Sequence, residues 1–329
     1  TSCDKTKISW DSGEKENLEE CKVNLYVENS GSMEGYMHDG FEFKDAVFGY
    51  VTAINKYVDD TRFFYINSKI VPNRISLENL TGSFNAAAFK AGGGDRSSTN
   101  LAAMLKMILK EQQKNTVSVF VSDCILDLPK GAAKNYFINN QIAIEAIVSK
   151  KLKKQKDLTF VVFRLMSRFY GKYYNSTGSS TVNAMRPYYV FLIGNGSLVS
   201  QLMRKVPLAD IPNAKVTSMV AYINNHVPAM TITNSTGRLF KKNKCNLLPE
   251  KGSDNYRIKI LADLSSAFIQ EDSLANKNLY KSSDRQFKLE YVEKIKDPES
   301  PYTHILTVST PQSVQPTKER RSIGKQETP

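Results

Sequence analysis

The chain has 329 residues, 41% of them hydrophobic and 24% charged, which is enough apolar material for a substantial core and excludes global disorder. Lys and Arg outnumber Asp and Glu by 45 to 33, a net charge of +12, but the cations are scattered. No zinc-finger, RRM or helix-turn-helix pattern accompanies them, so nucleic acid is not the expected partner.

Residues 1–21, "TSCDKTKISWDSGEKENLEEC", read as a polar leader or tether. Small residues just ahead of Cys3 resemble the end of a bacterial lipoprotein signal, with Cys3 as the lipidation candidate. That resemblance implies a cell-envelope location, periplasmic or at the surface, with a membrane tether through Cys3. The chain holds no run of 18 apolar residues that would predict a spanning helix. The other cysteines, Cys21, Cys124 and Cys245, form no C-x-x-C pair, so neither a zinc site nor a disulfide scaffold is expected.

Strand and helix patterns then alternate. "KVNLYVE" (22–28) is strand-like, and "FEFKDAVFGYVTAINKYV" (41–58) carries apolar residues at helical spacing. "TRFFYINSKI" (61–70) predicts one or two strands. "STNLAAMLKMILKEQQK" (98–114) predicts a helix with a Ser/Thr cap. "TVSVFVSD" (116–123) predicts a buried strand, and "NNQIAIEAIVSKKLKKQ" (139–155) a helix. "LTFVVFRLM" (158–166) and "RPYYVFLIG" (186–194) predict strands, separated by a Tyr-, Ser- and Gly-rich excursion at 167–185. "NGSLVSQLMRKV" (195–206) predicts a closing helix.

Near-continuous apolar strands alternating with helices predict a doubly wound, mostly parallel sheet over 22–206. From 207 to 310 the texture changes to short alternating runs between turn-rich stretches: "VTSMVAYI", "AMTITN", "YRIKILADLSSAF", "QFKLEYVEKI" and "THILTVST". These predict a smaller antiparallel, sandwich-like β domain. Residues 311–329 read as a basic polar tail or linker.

The chemistry gathers at predicted strand ends, where ligands of open α/β sheets bind. The first strand ends in "VENSGSM", which puts a carboxylate and two hydroxyls at Glu28, Ser30 and Ser32, spaced two apart. A glycine-rich loop, "GGGDRSSTN" (92–100), brings Thr99 close to a helix start. The central strand "VFVSDC" ends in Asp123. Carboxylates and hydroxyls are hard oxygen donors, suited to Mg²⁺, Mn²⁺ or Ca²⁺. Read structurally, the same residues are loop formers: Glu28 as a cap, and Ser30 and Ser32 bonded to loop backbone.

The ordered set Glu28-x-Ser30-x-Ser32, Thr99, Asp123 resembles the metal-ion-dependent adhesion site of the von Willebrand factor A domain. The resemblance covers roughly 22–206. It implies that Ser30 and Ser32 ligate the cation, that Thr99 ligates directly or through water, and that Asp123 binds the cation or its water. It further implies an open coordination position filled by an acidic group of a protein partner. One departure stands out: the family has Asp where this chain has Glu28. The extra methylene displaces the carboxylate by about 1.5 Å, one carbon–carbon bond, and the strict octahedral geometry of Mg²⁺ tolerates that poorly. Weak cation binding is the expected consequence.

Glu34, Tyr36, His38, Asp95, Ser98 and Asn100 are the candidate rim of the partner-binding face. Cys124 follows Asp123, but no histidine lies at a relay spacing, so it reads as a small buried residue rather than a nucleophile. The functional expectation is a cell-surface or periplasmic binding and adhesion module. Two other readings stay open: a metal-dependent phosphoesterase, and a structural or assembly subunit whose metal site is vestigial. No paired carboxylates at general acid–base spacing favour the enzyme.

Overall fold

The computed structural model describes residues 8–9, 17–73, 84–97, 100–125, 133–175, 178–223, 228, 230–235, 239–240, 246–247, 255–269, 271–282, 287–297 and 300–311. Two compact units divide the chain: Lys15–His226, and Thr1–Glu14 together with Val227–Pro329. The first strand in chain order, β1 (Ile8–Ser9), belongs to the second of these units.

The unit Lys15–His226 is built on a seven-stranded sheet. Its strands are β2 (Lys22–Glu28), β3 (Asp60–Ile66), β4 (Ile70–Pro72), β5 (Thr116–Ser122), β6 (Leu158–Asn175), β7 (Gly178–Asn195) and β8 (Lys215–Ile223). The order across the sheet is β4-β3-β2-β5-β7-β6-β8. Every residue of β5 is buried, which explains its unbroken apolar reading as a central strand.

Val220 and Tyr222 of the edge strand β8 are exposed, while both faces of the sheet's centre are covered. On one, Tyr26 and Phe120 pack with Met104, Leu105, Ile108 and Leu109 of helix α3 (Leu101–Glu111). On the other, Leu25 and Val121 share a small apolar cavity with Ala46, Val47 and Tyr50 of α1 (Glu42–Ile54). Between these helices in sequence lies the short α2 (Ala86–Ala91), which the sequence pattern did not predict. Helix α4 (Ala133–Lys154) lays Ile144, Ile147, Val148 and Leu152 against the α3 side. Helix α5 (Gly196–Lys205) closes the unit, capped by Asn195, whose side chain accepts from the Ser197 and Leu198 amides. The cap of α3 is Asn100, which accepts from the Ala103 amide, not the expected Ser or Thr.

The expected mostly parallel sheet is corrected to a mixed one. Only β3, β2 and β5 run parallel. The pairs β3–β4, β5–β7, β7–β6 and β6–β8 are antiparallel. The cause is connectivity. β6 and β7 are joined directly as a hairpin, and direct joining permits only antiparallel pairing. The stretch expected as an excursion is the outer half of this hairpin, paired in unbroken register from Ser167↔Arg186 to Asn175↔Gly178. "VTSMVAYI", expected in the β-rich domain, is β8 and pairs with β6 from Thr159↔Ile223 to Met166↔Lys215. The division between units therefore falls 20 residues beyond the expected 206/207, at 226/227.

In the second unit an antiparallel sheet runs β1-β9-β12-β14-β13, with β9 (Met230–Ser235), β12 (Asn255–Ala262), β13 (Lys288–Lys294) and β14 (His304–Pro311). A two-residue ribbon pairs β10 (Leu239–Phe240) with β11 (Asn246–Leu247). The antiparallel β-rich character expected of this domain is observed. Leu274 of the short helix α6 (Glu271–Ala275) packs with Ala262, Leu264, Met230 and Leu306. The leader contributes structure as well, since Ile8 pairs with Ile232 and Ser9 with Thr231. Cys3 and the tail 312–329 lie outside the described residues.

Candidate functional site

Strands β2 and β5 are parallel neighbours in register Val27↔Val121, so they finish at the same sheet edge. That places Glu28, the last residue of β2, beside Ser122, the last of β5, with Asp123 following. Glu28 is fully buried and Asp123 is 4% exposed. The Ser122 hydroxyl donates a short hydrogen bond to Glu28 Oε2 and itself accepts from the Cys124 amide at 2.8 Å. Asp123 Oδ1 accepts from the Ile125 amide at 3.0 Å, the local turn chemistry of an Asx residue.

Past Glu28 the chain turns into a 3-10 turn, Gly31–Tyr36. Ser30 precedes it in extended conformation, φ −64° and ψ 167°, and its hydroxyl caps nothing. Instead Ser30 Oγ lies 3.0 Å from Ser32 Oγ, both side chains buried at the strand edge. Two hydroxyls and two carboxylates thus collect at the ends of adjacent parallel strands. Their chemistry fits a hard cation. Among the described residues no cluster of three His, Cys, Asp or Glu is placed to hold a metal, so hydroxyls would have to complete the set. Thr99 and Ser98 lie outside the described residues.

The field of the two carboxylates is felt by their neighbours. Burial pushes the Cys124 thiol up; the Ser122 hydroxyl opposes this, and the charges of Glu28 and Asp123 add to the rise. A thiol held protonated is a poor nucleophile, although Cys124 is only partly buried rather than the buried residue expected. Burial likewise pushes the Tyr36 phenol up, with Asp123 adding and Arg186 opposing.

The loop is held from behind by a buried amide network. Asn29 is fully buried; its Nδ2 donates to Phe89 O at 3.3 Å and its Oδ1 accepts from Asn67 Nδ2 at 2.7 Å. Asn67 Nδ2 also donates to Gly93 O at 2.7 Å. The glycine run wraps this pair closely. A Cβ at Gly92 would come within 2.7 Å of Asn29 Nδ2, and one at Gly94, where φ is +79°, within 1.9 Å of Asn67 Oδ1. The glycines therefore serve backbone approach to the two asparagines.

Arg96 is the residue that sequence reasoning missed. Its carbonyl accepts from the Gly31 amide at 3.1 Å. Its guanidinium donates to Asn29 O at 2.6 Å and to Glu34 Oε1 at 2.6 Å, while Lys90 lies 3.3 Å from Glu34 Oε2. One side chain thus ties the glycine loop to both sides of the serine loop. Nothing local signals this, because Arg96 and Glu34 are 62 positions apart.

The expected rim divides. Glu34 is partly exposed and held by the two cations, and His38 is exposed with Nε2 2.8 Å from Tyr170 O. Asp95 is exposed and accepts from the Ser97 amide and hydroxyl, a turn role. Asn100 caps α3. Tyr36 is corrected: it is fully buried, and its hydroxyl donates to Pro187 O at 2.7 Å, so it presents nothing to a partner. Burial follows from ring contacts with Phe43, Phe169 and Tyr188.

No protein family model, no curated protein and no solved structure matches the chain.

Proposed function

We propose that the chain is a von Willebrand A-like binding module of the cell envelope that engages a protein partner through a divalent cation at the ends of β2 and β5. One observation supports it most: parallel neighbours end together, and so bring Glu28, Asp123 and the Ser30–Ser32 hydroxyl pair to one buried edge. When bound, the cation would supply an electrophilic centre for an acidic group of the partner. Ser30, Ser32 and Asp123 would hold it, with Thr99 completing the set as the family resemblance implies. Glu28, which accepts a hydrogen bond from the Ser122 hydroxyl, would join them at the strand end. The envelope assignment rests on the residues around Cys3. Among the described residues no helix is long and apolar enough to cross a membrane.

The test is calorimetric titration of Mg²⁺, Mn²⁺ and Ca²⁺ into metal-stripped protein, beside Ser32→Ala and Glu28→Asp. Saturable binding lost in Ser32→Ala supports the site, and tighter binding in Glu28→Asp assigns the weakness to the natural Glu. No binding at millimolar metal in any form overturns it.

Arg96 favours a second reading, an assembly subunit with a vestigial cation site. Its fixed positive charge already bridges the serine loop and the glycine loop. Under that reading the two loops are held with no cation, and Arg96→Gln loosens them while added metal restores nothing.

A further inference from the structure

Beside the serine loop, the 3-10 turn Gly31–Tyr36, helix α2 and the outer part of β6 wall a cavity of about 500 Å³. That lies within the roughly 300–1,000 Å³ usual for ligand pockets. We infer that this cavity is a docking pocket for an acidic peptide segment that presents an aromatic or branched apolar side chain. The inference rests on the binding-module reading only in taking the ligand to be a peptide; it needs no cation.

The lining has two characters. Met37 and Phe89 are buried behind the wall, and the ring of Tyr170, 47% exposed, offers the apolar surface. Lys90, Lys172 and His38 give it a polar edge. Its one acid, Glu34, is matched by Arg96 at 2.6 Å and Lys90 at 3.3 Å, so the surplus charge is positive. The nearby Asp39 is paired with Lys44. The wall itself adds no negative charge: the whole hairpin from Leu158 to Asn195 contains no Asp or Glu, and carries Arg164, Lys172, Arg168 and Arg186. The lining thus sets Lys90 and Lys172 against the single carboxylate Glu34, and this net positive charge favours encounter and orientation of an anionic ligand.

The wall is also preformed. Gly171 of β6 lies so close to the turn that a Cβ on it would come within 2.9 Å of Gly35 Cα. His38 is fixed by its contact with Tyr170 O and by ring contacts to Phe41 and Tyr170. A rigid pocket loses less entropy on binding. Tyr170, Lys90 and Lys172 are exposed, so the mouth is open and admits a side chain still attached to its chain.

The probe is a random dodecapeptide library displayed on phage and selected on the whole protein. Enriched peptides are then labelled and titrated by fluorescence anisotropy. Two variants separate charge from space: the double variant Lys90→Glu/Lys172→Glu, and Ala86→Trp, which fills the cavity from an exposed position on α2. Circular dichroism checks that each is folded. The inference expects enriched sequences that combine Glu or Asp with an aromatic or branched residue. It expects at least about tenfold weaker binding in each variant, unchanged by EDTA. No enrichment, enrichment of neutral or basic sequences, or unchanged affinity in either folded variant overturns it. Binding lost in EDTA and in Ser32→Ala, but kept in the pocket variants, assigns the peptide to the cation site and likewise overturns it. Peptide binding through the pocket with no calorimetric metal binding supports the pocket while removing the cation.

Discussion

Replacing Glu42 by Gln tests how the first helix is fastened to the sheet. Glu42 opens α1 and is buried. Its Oε2 accepts from the Arg168 amide at 2.8 Å and from Arg168 Nε at 3.3 Å, and its Oε1 accepts from Lys215 Nζ at 2.7 Å. One carboxylate therefore joins α1 to β6 and β8. Burial pushes its carboxyl up. The Arg168 amide, the Lys215 ammonium, its own amide and the Arg168 guanidinium outweigh that and bring it down from 4.5 to about 2. Since each pKa step is worth about 1.4 kcal/mol, the upper bound is about 3 kcal/mol. Lys215 and Arg168 are 52% and 53% exposed, and solvent screening lowers the figure to roughly 1–2 kcal/mol. The folded value lies below the unfolded one, so the stabilisation is full above pH 4.5 and fades as pH falls towards 2. The assay is urea unfolding of natural protein and Glu42→Gln at pH 7 and pH 3. The natural protein should be more stable by roughly 1–2 kcal/mol at pH 7, with the gap smaller at pH 3. A gap that is absent at pH 7, or equal at both pH values, refutes the ion-pair account.

Gly35→Ala should lower the melting temperature by several degrees, because the new Cβ would lie 2.3 Å from the ring of Phe169, which is itself buried; the cost is about 1–3 kcal/mol. A melting temperature unchanged from the natural protein would show that the turn and β6 are not in contact as described. Tyr36→Phe removes the bond to Pro187 O and should cost about 1 kcal/mol in urea unfolding. Since Tyr36 is buried away from any rim, the same variant should bind divalent cations and peptides as the natural protein does. Cys124 should resist iodoacetamide at pH 8 in native buffer and react in urea, read by mass spectrometry of its peptide; rapid native labelling contradicts a thiol pushed up by burial.

Local pattern determined much of this protein. The period-two and unbroken apolar runs of 22–28 and 116–122 became strands, and the Leu and Met spacing of 101–111 became a helix, because burial of one face is written residue by residue. The placing of Glu28, Ser30, Ser32 and Asp123 at strand ends was legible for the same reason. Pairing was not. Whether β7 meets β5 parallel or antiparallel, and whether β8 joins the first sheet or the second unit, depends on partners distant in sequence, and an apolar strand reads alike in either place. Tertiary structure also decided the setting of the candidate site. Ser122 reaches Glu28 across 94 positions, Asn67 reaches Asn29 across 38, and Arg96 reaches Glu34 across 62. A hydrogen bond acts within about 3 Å of space, and only the folded chain determines which residues share that space.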